Sequence, residues 1–374
     1  MRIGFDAKRA YLNNAGLGNY SRNTLVAMHK YYPSHQYLLF TPEVRTSIFR
    51  EYRFFESVSP KSPLFSIFKS LWRSLYLSKK IRHSGLDLFH GLSNELPAGI
   101  HQTGIPSVVT VHDLIFMNFP GLYKAIDRKI YYEKVRYACS AATKIIATSQ
   151  QTRSDLIHHL QVDPSKIEVI YQSISERFFL NYYINDLDDV RKKYQLPQQF
   201  ILTVGTIEPR KNQLGVLEAL HRHQIDIPYV LVGRSTPYEK QIREYIRKHN
   251  LQGKVHILNN VPDFDLPAIY HQASCMIYLS HYEGFGLPLV EAMACGCPVI
   301  TSSVSSLPEI GNDAALYCNP NDEEAVARLT EKVIYNQVFA RELAQKGKKR
   351  ALQFHPEGRT HALMSFYQSI LHHE

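Results

Sequence analysis

A chain of 374 residues with 44% hydrophobic and 21% charged side chains has material for two domains with separate cores, and its composition is not that of a disordered protein. No apolar run reaches the length of a membrane span, and the five cysteines lack zinc-ligand spacing, which argues for buried reduced thiols over a metal site or a disulfide framework. The net charge of +9 comes without a nucleic-acid module or a repeated aromatic platform, so nucleic acid is not an expected partner; an anionic lipid surface and a diphosphate ligand account for the excess equally well.

The chain enters a strand at Ile3-Gly4-Phe5 with no signal peptide before it, which predicts a cytoplasmic protein. Further strands are predicted at Tyr37–Phe40, Leu86–His90, Pro106–Val111 and Lys144–Thr148, with helices over 19–31, 64–83, 124–141 and 149–160. Such alternation predicts a parallel sheet covered on both faces. Between the first strand and its helix lies Asn13-Asn14-Ala15-Gly16-Leu17-Gly18-Asn19-Tyr20, a glycine-containing turn that lacks the dinucleotide-binding spacing. The 64–83 segment mixes Phe65, Phe68 and Trp72 with Lys69, Arg73, Lys79 and Lys80; it reads either as a helix covering the sheet or as an interfacial helix on anionic lipid. His112 and Asp113 follow the Pro106–Val111 strand, where ligands of open parallel sheets collect.

Residues 173–198 are polar and irregular and read as a hinge. Beyond them the pattern repeats, with strands at Phe200–Val204, Tyr229–Val232, Val255–Leu258, Cys275–Tyr278 and Pro298–Thr301, and helices near 211–223, 237–249, 265–273, 287–295, 321–335 and 339–353. A tail helix is expected over 357–372. After the first of these strands, Arg210 and Lys211 form a cation pair at a strand–loop–helix junction, suited to a diphosphate. The run Glu283-Gly284-Phe285-Gly286-Leu287-Pro288-Leu289-Val290-Glu291 is the most informative segment. Its glycines permit a sharp turn, Pro288 suits a first helical turn, and a helix N-terminus offers amides and a favourable dipole to an anion. Glu291 falls about two turns beyond Glu283, so the pair suits a nucleoside-diphosphate sugar, with phosphates at the helix start, sugar at Glu283 and ribose at Glu291.

That Glu-x7-Glu run, with Ala292-Met293-Ala294-Cys295-Gly296-Cys297-Pro298-Val299-Ile300 and Ser306-Leu307-Pro308-Glu309-Ile310 after it, resembles retaining glycosyltransferase family 4. The resemblance implies the GT-B fold: two facing Rossmann-like α/β domains, 1–172 for the acceptor and 173–356 for the nucleotide sugar, with a tail helix from 357 to 374 crossing back onto the first. It implies a donor site made by Gly16, Gly18, Arg210, Lys211, Gly284, Phe285, Gly286, Leu287 and Glu291, with Glu283 and His112 catalytic. Asn260, Val261 and Asp263 would meet the nucleotide base through backbone groups. Many members carry an arginine directly after the loop glycine; here that position is Thr206, so Arg210 has to supply the guanidinium. The Glu208-Pro209-Arg210-Lys211-Asn212 form and Val111-His112-Asp113-Leu114 resemble mannosyltransferase-like members, which favours GDP-mannose as donor to a saccharide or lipid-linked saccharide acceptor. Arg210, Lys211 and the turn at Gly284–Leu287 would stabilise the departing diphosphate, so that no divalent metal is needed. Peripheral attachment to the cytoplasmic face of a membrane is a further expectation. A UDP-sugar-dependent transferase, a GT-B sugar-nucleotide epimerase and a non-catalytic sugar-nucleotide-binding scaffold are the alternatives.

Overall fold

A computed structural model describes residues 1–60, Trp72 and residues 76–372. Two units emerge, Met1–Ser173 together with Pro356–Glu374, and Ile174–His355.

The first unit holds seven parallel strands: β1 (Arg2–Asp6), β2 (Gln36–Phe40), β3 (Glu56–Val58), β4 (Leu88–Gly91), β5 (Ser107–Val111), β6 (Lys144–Ala147) and β7 (Ile167–Val169), in the order β3-β2-β1-β4-β5-β6-β7. Successive side chains of a strand point to opposite faces, and the two cores of this unit divide accordingly. Tyr37 and Leu39 join Ile3, Phe5 and Val108 in one, while Leu38 and Phe40 join Phe89, Val109 and Val111 in the other. Burial on both faces is why these strands read as continuous apolar runs. The tail helix Pro356–Leu371 contributes Leu363, Met364, Tyr367 and Ile370 to the first of those cores, a spacing that lines one helical face.

The second unit repeats the plan with β8 (Ile201–Val204), β9 (Tyr229–Val232), β10 (Val255–Leu258), β11 (Cys275–Tyr278), β12 (Val299–Ser302) and β13 (Leu316–Cys318), ordered β10-β9-β8-β11-β12-β13 and all parallel. All five cysteines are buried free thiols.

Three features depart from the sequence expectation, and one of its two readings of the 64–83 segment is favoured. Strands β3, β7 and β13 are sheet edges of three residues each, too short to show a period. Part of the expected hinge is the helix Ile184–Tyr194, with Asp186 in its first turn and Arg191, Lys192 and Lys193 in its last, as the helix dipole favours. Lys193 and Tyr194 both bond Asp265 Oδ2, at 2.7 and 2.6 Å, tying this helix into the second unit. In the first unit a short helix, Lys8–Leu12, precedes the glycine turn, and the next helix starts at Gly16, three residues before the expected position. Of the 64–83 segment, Phe65, Phe68, Lys69 and Arg73 lie outside the described residues. Trp72 is 2% exposed and packs with Leu77 and Ile81, so it belongs to the core and not to a lipid-facing surface.

Candidate active site

In an open parallel sheet, ligands collect beyond the carboxyl ends of the strands where the strand order reverses. In the second unit that point lies between β8 and β11, which are neighbours although β9 and β10 intervene in sequence. The loop after β8 carries Arg210 and Lys211, and the loop after β11 carries Glu283. A backbone bond from His281 N–H to the Arg210 carbonyl, 2.8 Å, joins the two loops.

Three donors converge on one oxygen. Glu283 Oε1 is 2.9 Å from Arg210 Nη1, 2.6 Å from Lys211 Nζ and 2.8 Å from the Tyr278 hydroxyl. Arg210, Lys211 and Glu283 are each less than a tenth exposed, so the cations are not the solvated pair that position alone allows. Burial by itself raises the Glu283 pKa, but Arg210 and Lys211 outweigh it and hold the carboxyl at about 2. Lys211 is pulled below the usual lysine range by burial, against the opposing pull of Glu283. Arg210 also donates to the Tyr282 carbonyl and to Glu208 Oε1. Tyr278 closes β11 and also accepts from Lys211 at 2.5 Å. Nothing in its local sequence marked it; only the fold brings it to this cluster.

The turn after Glu283 is stitched from behind. The Ser306 hydroxyl donates to the carbonyls of Glu283 (3.0 Å) and Phe285 (2.9 Å), and Glu283 N–H donates to Ser305 Oγ at 3.0 Å. Gly286, with φ of +103°, opens the Leu287–Ala294 helix from a left-handed conformation, and a Cβ there would lie 2.7 Å from Leu307 Cδ2. The left-handed conformation disfavours any side chain here, and a Cβ would also have to displace the Leu307 methyl. Pro288 occupies the first turn as expected. Gly284 is buried, and the half-buried Leu287 begins the helix. The Phe285 ring is 3% exposed and packs edge-on against Phe354, so this residue offers its backbone and not its side chain to a ligand.

Glu291 sits further along the same helix and accepts from the Tyr270 hydroxyl at 3.0 Å. Burial pushes its carboxyl up to about 7. The two glutamates therefore sit at opposite ends of the carboxylate range, one held ionised by cations and the other raised by burial. Asn260 and Asp263 are exposed and Val261 half-buried in the loop after β10, where Asn260 takes a positive φ of 61°.

The strand order of the first unit reverses between β1 and β4. Gly16 and Gly18 stand after β1, in the first turn of the Gly16–Tyr31 helix. A Cβ on Gly18 would fall 1.8 Å from the Asn13 carbonyl oxygen, so the loop's own backbone demands this glycine, whereas Gly16 faces open space. His112 follows β5 and is 5% exposed. Its Nε2 is 2.8 Å from the Leu92 carbonyl, its Nδ1 is 3.3 Å from Gln172 Nε2, and its ring meets the Tyr20 ring edge-on at 4.5 Å. A carbonyl only accepts, so Nε2 carries the proton and Nδ1 receives the Gln172 amide. Burial lowers the His112 pKa to about 4, and the ring is neutral at pH 7. The imidazole is thus oriented by Leu92 and Gln172, while the neighbouring Asp113 accepts from Ile115 N–H at 3.1 Å.

The family model for glycosyl transferases group 1 matches residues 186–350, and that for glycosyltransferase family 4 matches residues 15–177. The O-antigen chain mannosyltransferase B of Escherichia coli is 32% identical over 289 residues, covering 76% of this chain and 74% of its own. The serotype-specific mannosyltransferase WbdA of Escherichia coli is 28% identical over 298 residues, 76% of this chain and 36% of its own. Among solved structures, Anabaena Alr3699/HepE in complex with UDP and glucose aligns with a TM-score of 0.76 at 18% identity, covering 98% of this chain and 99% of its own, a likeness of fold. The chain belongs to glycosyltransferase family 4 and is a glycosyltransferase with the GT-B fold.

Proposed function

We propose that this enzyme moves mannose from GDP-mannose, with retention of anomeric configuration and without a divalent metal, onto a saccharide or lipid-linked saccharide acceptor. The observation that carries the sugar is the 32% identity to an O-antigen mannosyltransferase over 76% of the chain. The chemistry rests on the buried cluster at the end of β8 and β11. Arg210 and Lys211 meet the diphosphate, whose charge grows as the sugar leaves, and the amides of the turn at Gly284–Leu287 add to that stabilisation. Glu283, kept ionised by those cations, hydrogen-bonds the sugar hydroxyls and holds the ring for attack on the face the nucleotide leaves. Glu291 binds the ribose hydroxyls, and the backbone at Asn260–Asp263 meets guanine.

The test is product analysis with purified enzyme, GDP-mannose or UDP-glucose, and a panel of saccharide and lipid-linked saccharide acceptors. An α-linked mannosyl product formed only when acceptor is present supports the proposal. Nucleotide release with an epimerised free sugar and no acceptor requirement identifies an epimerase. Binding without turnover identifies a scaffold, and a clear preference for UDP over GDP in calorimetry overturns the donor while leaving the phosphate-site roles standing.

A further inference from the structure

Tyr278 is the last residue of β11 and is fully buried. Cys275 and Ile277 of the same strand point into the apolar core of the second unit. Side chains alternate along a strand, so the Tyr278 phenol lies on the opposite face. Its backbone is pinned from the neighbouring strand: Tyr278 pairs in register with Thr301 of β12, whose hydroxyl donates to the Tyr278 carbonyl at 2.8 Å. The Ser302 hydroxyl donates to the Ser280 carbonyl at 2.7 Å, and Ser305 and Ser306 hold the turn that follows. The phenol and the Glu283 carboxylate are thus carried on one stretch of backbone fixed against β12 and the loop after it.

Lys211 Nζ, the Tyr278 hydroxyl and Glu283 Oε1 form a closed triangle: 2.5 Å from lysine to phenol, 2.8 Å from phenol to carboxylate and 2.6 Å from lysine to carboxylate. An ammonium only donates and an ionised carboxylate only accepts. The phenol oxygen therefore accepts from Lys211, and its single proton goes to Glu283. Burial, reinforced by the Glu283 charge, raises the phenol pKa well above its ordinary value, so that proton stays in place. Lys211 Nζ also lies 4.8 Å from the centre of the Tyr278 ring, so ring and hydroxyl both face the cation.

Two of the three donors on Oε1 have another claim on them. In the function proposed above, on which this inference rests, Arg210 and Lys211 meet the diphosphate while Glu283 holds the sugar. A carboxylate oxygen offers about two lone-pair sites, so three donors fill Oε1 and leave Oε2 for sugar hydroxyls. We propose that Tyr278 is a positioning residue for sugar transfer: its hydroxyl anchors Glu283 Oε1 and so keeps Oε2 aimed at the sugar. As the two cations turn toward phosphate oxygens their hold on Oε1 loosens, and the neutral phenol is the donor that stays. The hydroxyl is what separates this role from packing, because a phenylalanine ring would fill the same space.

The test compares wild type, Tyr278→Phe, Glu283→Gln and the double variant, with whichever of GDP-mannose and UDP-glucose the wild type transfers. Tyr278→Phe should lower kcat on the order of tenfold, as the loss of one hydrogen bond to a charged group implies. Affinity for the matching nucleoside diphosphate, by calorimetry, should stay within about twofold of wild type. Added to Glu283→Gln, the same substitution should change kcat by less than about twofold, because the carboxylate it positions is no longer there. A wild-type kcat in Tyr278→Phe overturns the proposal and leaves the role of Glu283 standing. An equal loss in both backgrounds overturns it too, as general damage to the fold. Weaker nucleotide binding with kcat unchanged assigns the hydroxyl to Lys211 and the diphosphate, and a Tyr278→Phe chain that does not fold assigns it to the core; both overturn the positioning role. Near-normal kcat in Glu283→Gln, or a wild type that transfers from neither donor, defeats the proposed function itself and this inference with it.

Discussion

Lys211 Nζ lies 2.6 Å from Glu283 Oε1, both side chains buried, across 72 residues of sequence. Neither charge is tolerable alone at that depth: a buried ion without its partner costs several kcal/mol, on the order of 3–5 when one member of a pair is removed. Arg210 joins the same oxygen, so the carboxylate is ionised and fixed before any ligand arrives. The pair that ties the two loops together is the pair to which the proposed mechanism assigns the donor.

Glu283→Gln keeps the shape and removes the charge. Turnover should fall on the order of a hundredfold or more, as expected when one oriented group at the reacting sugar is lost. Circular dichroism should show an intact fold. A variant that turns over at the wild-type rate would remove Glu283 from the mechanism.

Arg210→Ala and Lys211→Ala should each slow transfer and weaken binding of the nucleoside diphosphate, measured by calorimetry. Both should also lower thermal stability, because each withdraws compensation from the buried Glu283. Activity should persist in excess EDTA. Loss of activity there, restored by magnesium or manganese, would hand the role of these cations to a metal.

Glu291 gives a pH signature of defined sign. Its folded pKa is raised to about 7 from an ordinary value of 4.5, so the folded state holds the proton more tightly than the unfolded one. The stabilisation is fully present below 4.5 and is lost as pH rises through about 7. Glu291→Gln mimics the protonated form, so its melting temperature should gain on that of the wild type between pH 5 and pH 8. A constant difference across that range would show that Glu291 titrates as an ordinary exposed carboxylate.

Tyr367 on the tail helix shares a 2.5 Å hydrogen bond with His90 Nδ1, and His90 Nε2 reaches Thr110 Oγ1 at 2.8 Å. Burial lowers His90 to about 3, which keeps it neutral and makes both bonds matter. Tyr367→Phe strands one ring nitrogen in the core at a cost of about 1–3 kcal/mol. Chemical denaturation should show that loss with an unchanged slope. A loss well under 0.5 kcal/mol would mean the helix is held by packing alone.

His112→Ala tests the first-unit histidine. If His112 assists sugar transfer, turnover should drop well beyond any change in GDP affinity, which isolates the chemical step from nucleotide binding. Equal loss in both, together with a lower melting temperature, would reduce His112 to a structural link between Leu92 and Gln172.

Continuous apolar runs at Tyr37–Phe40, Phe200–Val204 and Cys275–Tyr278 announced parallel strands buried on both faces, and glycine and proline at fixed offsets from Glu283 announced the turn and helix that follow it. Those signals are local, because a backbone dihedral or a side-chain period depends on neighbours along the chain. Local signals failed where structure was short or supplied from afar. Three-residue edge strands have no measurable period, and the polar segment at 184–194 became helical through its end charges and its contacts to Asp265. Arg210, Lys211 and Glu283 were legible as candidates; that the two cations and Tyr278 all meet one oxygen of Glu283 was not. The strand order sets β8 beside β11, and the cations this brings to Glu283, against burial without such cations at Glu291, hold identical residues eight positions apart at about 2 and about 7. Desolvation and Coulomb interaction act through space, so the charge states of the site belong to the tertiary structure.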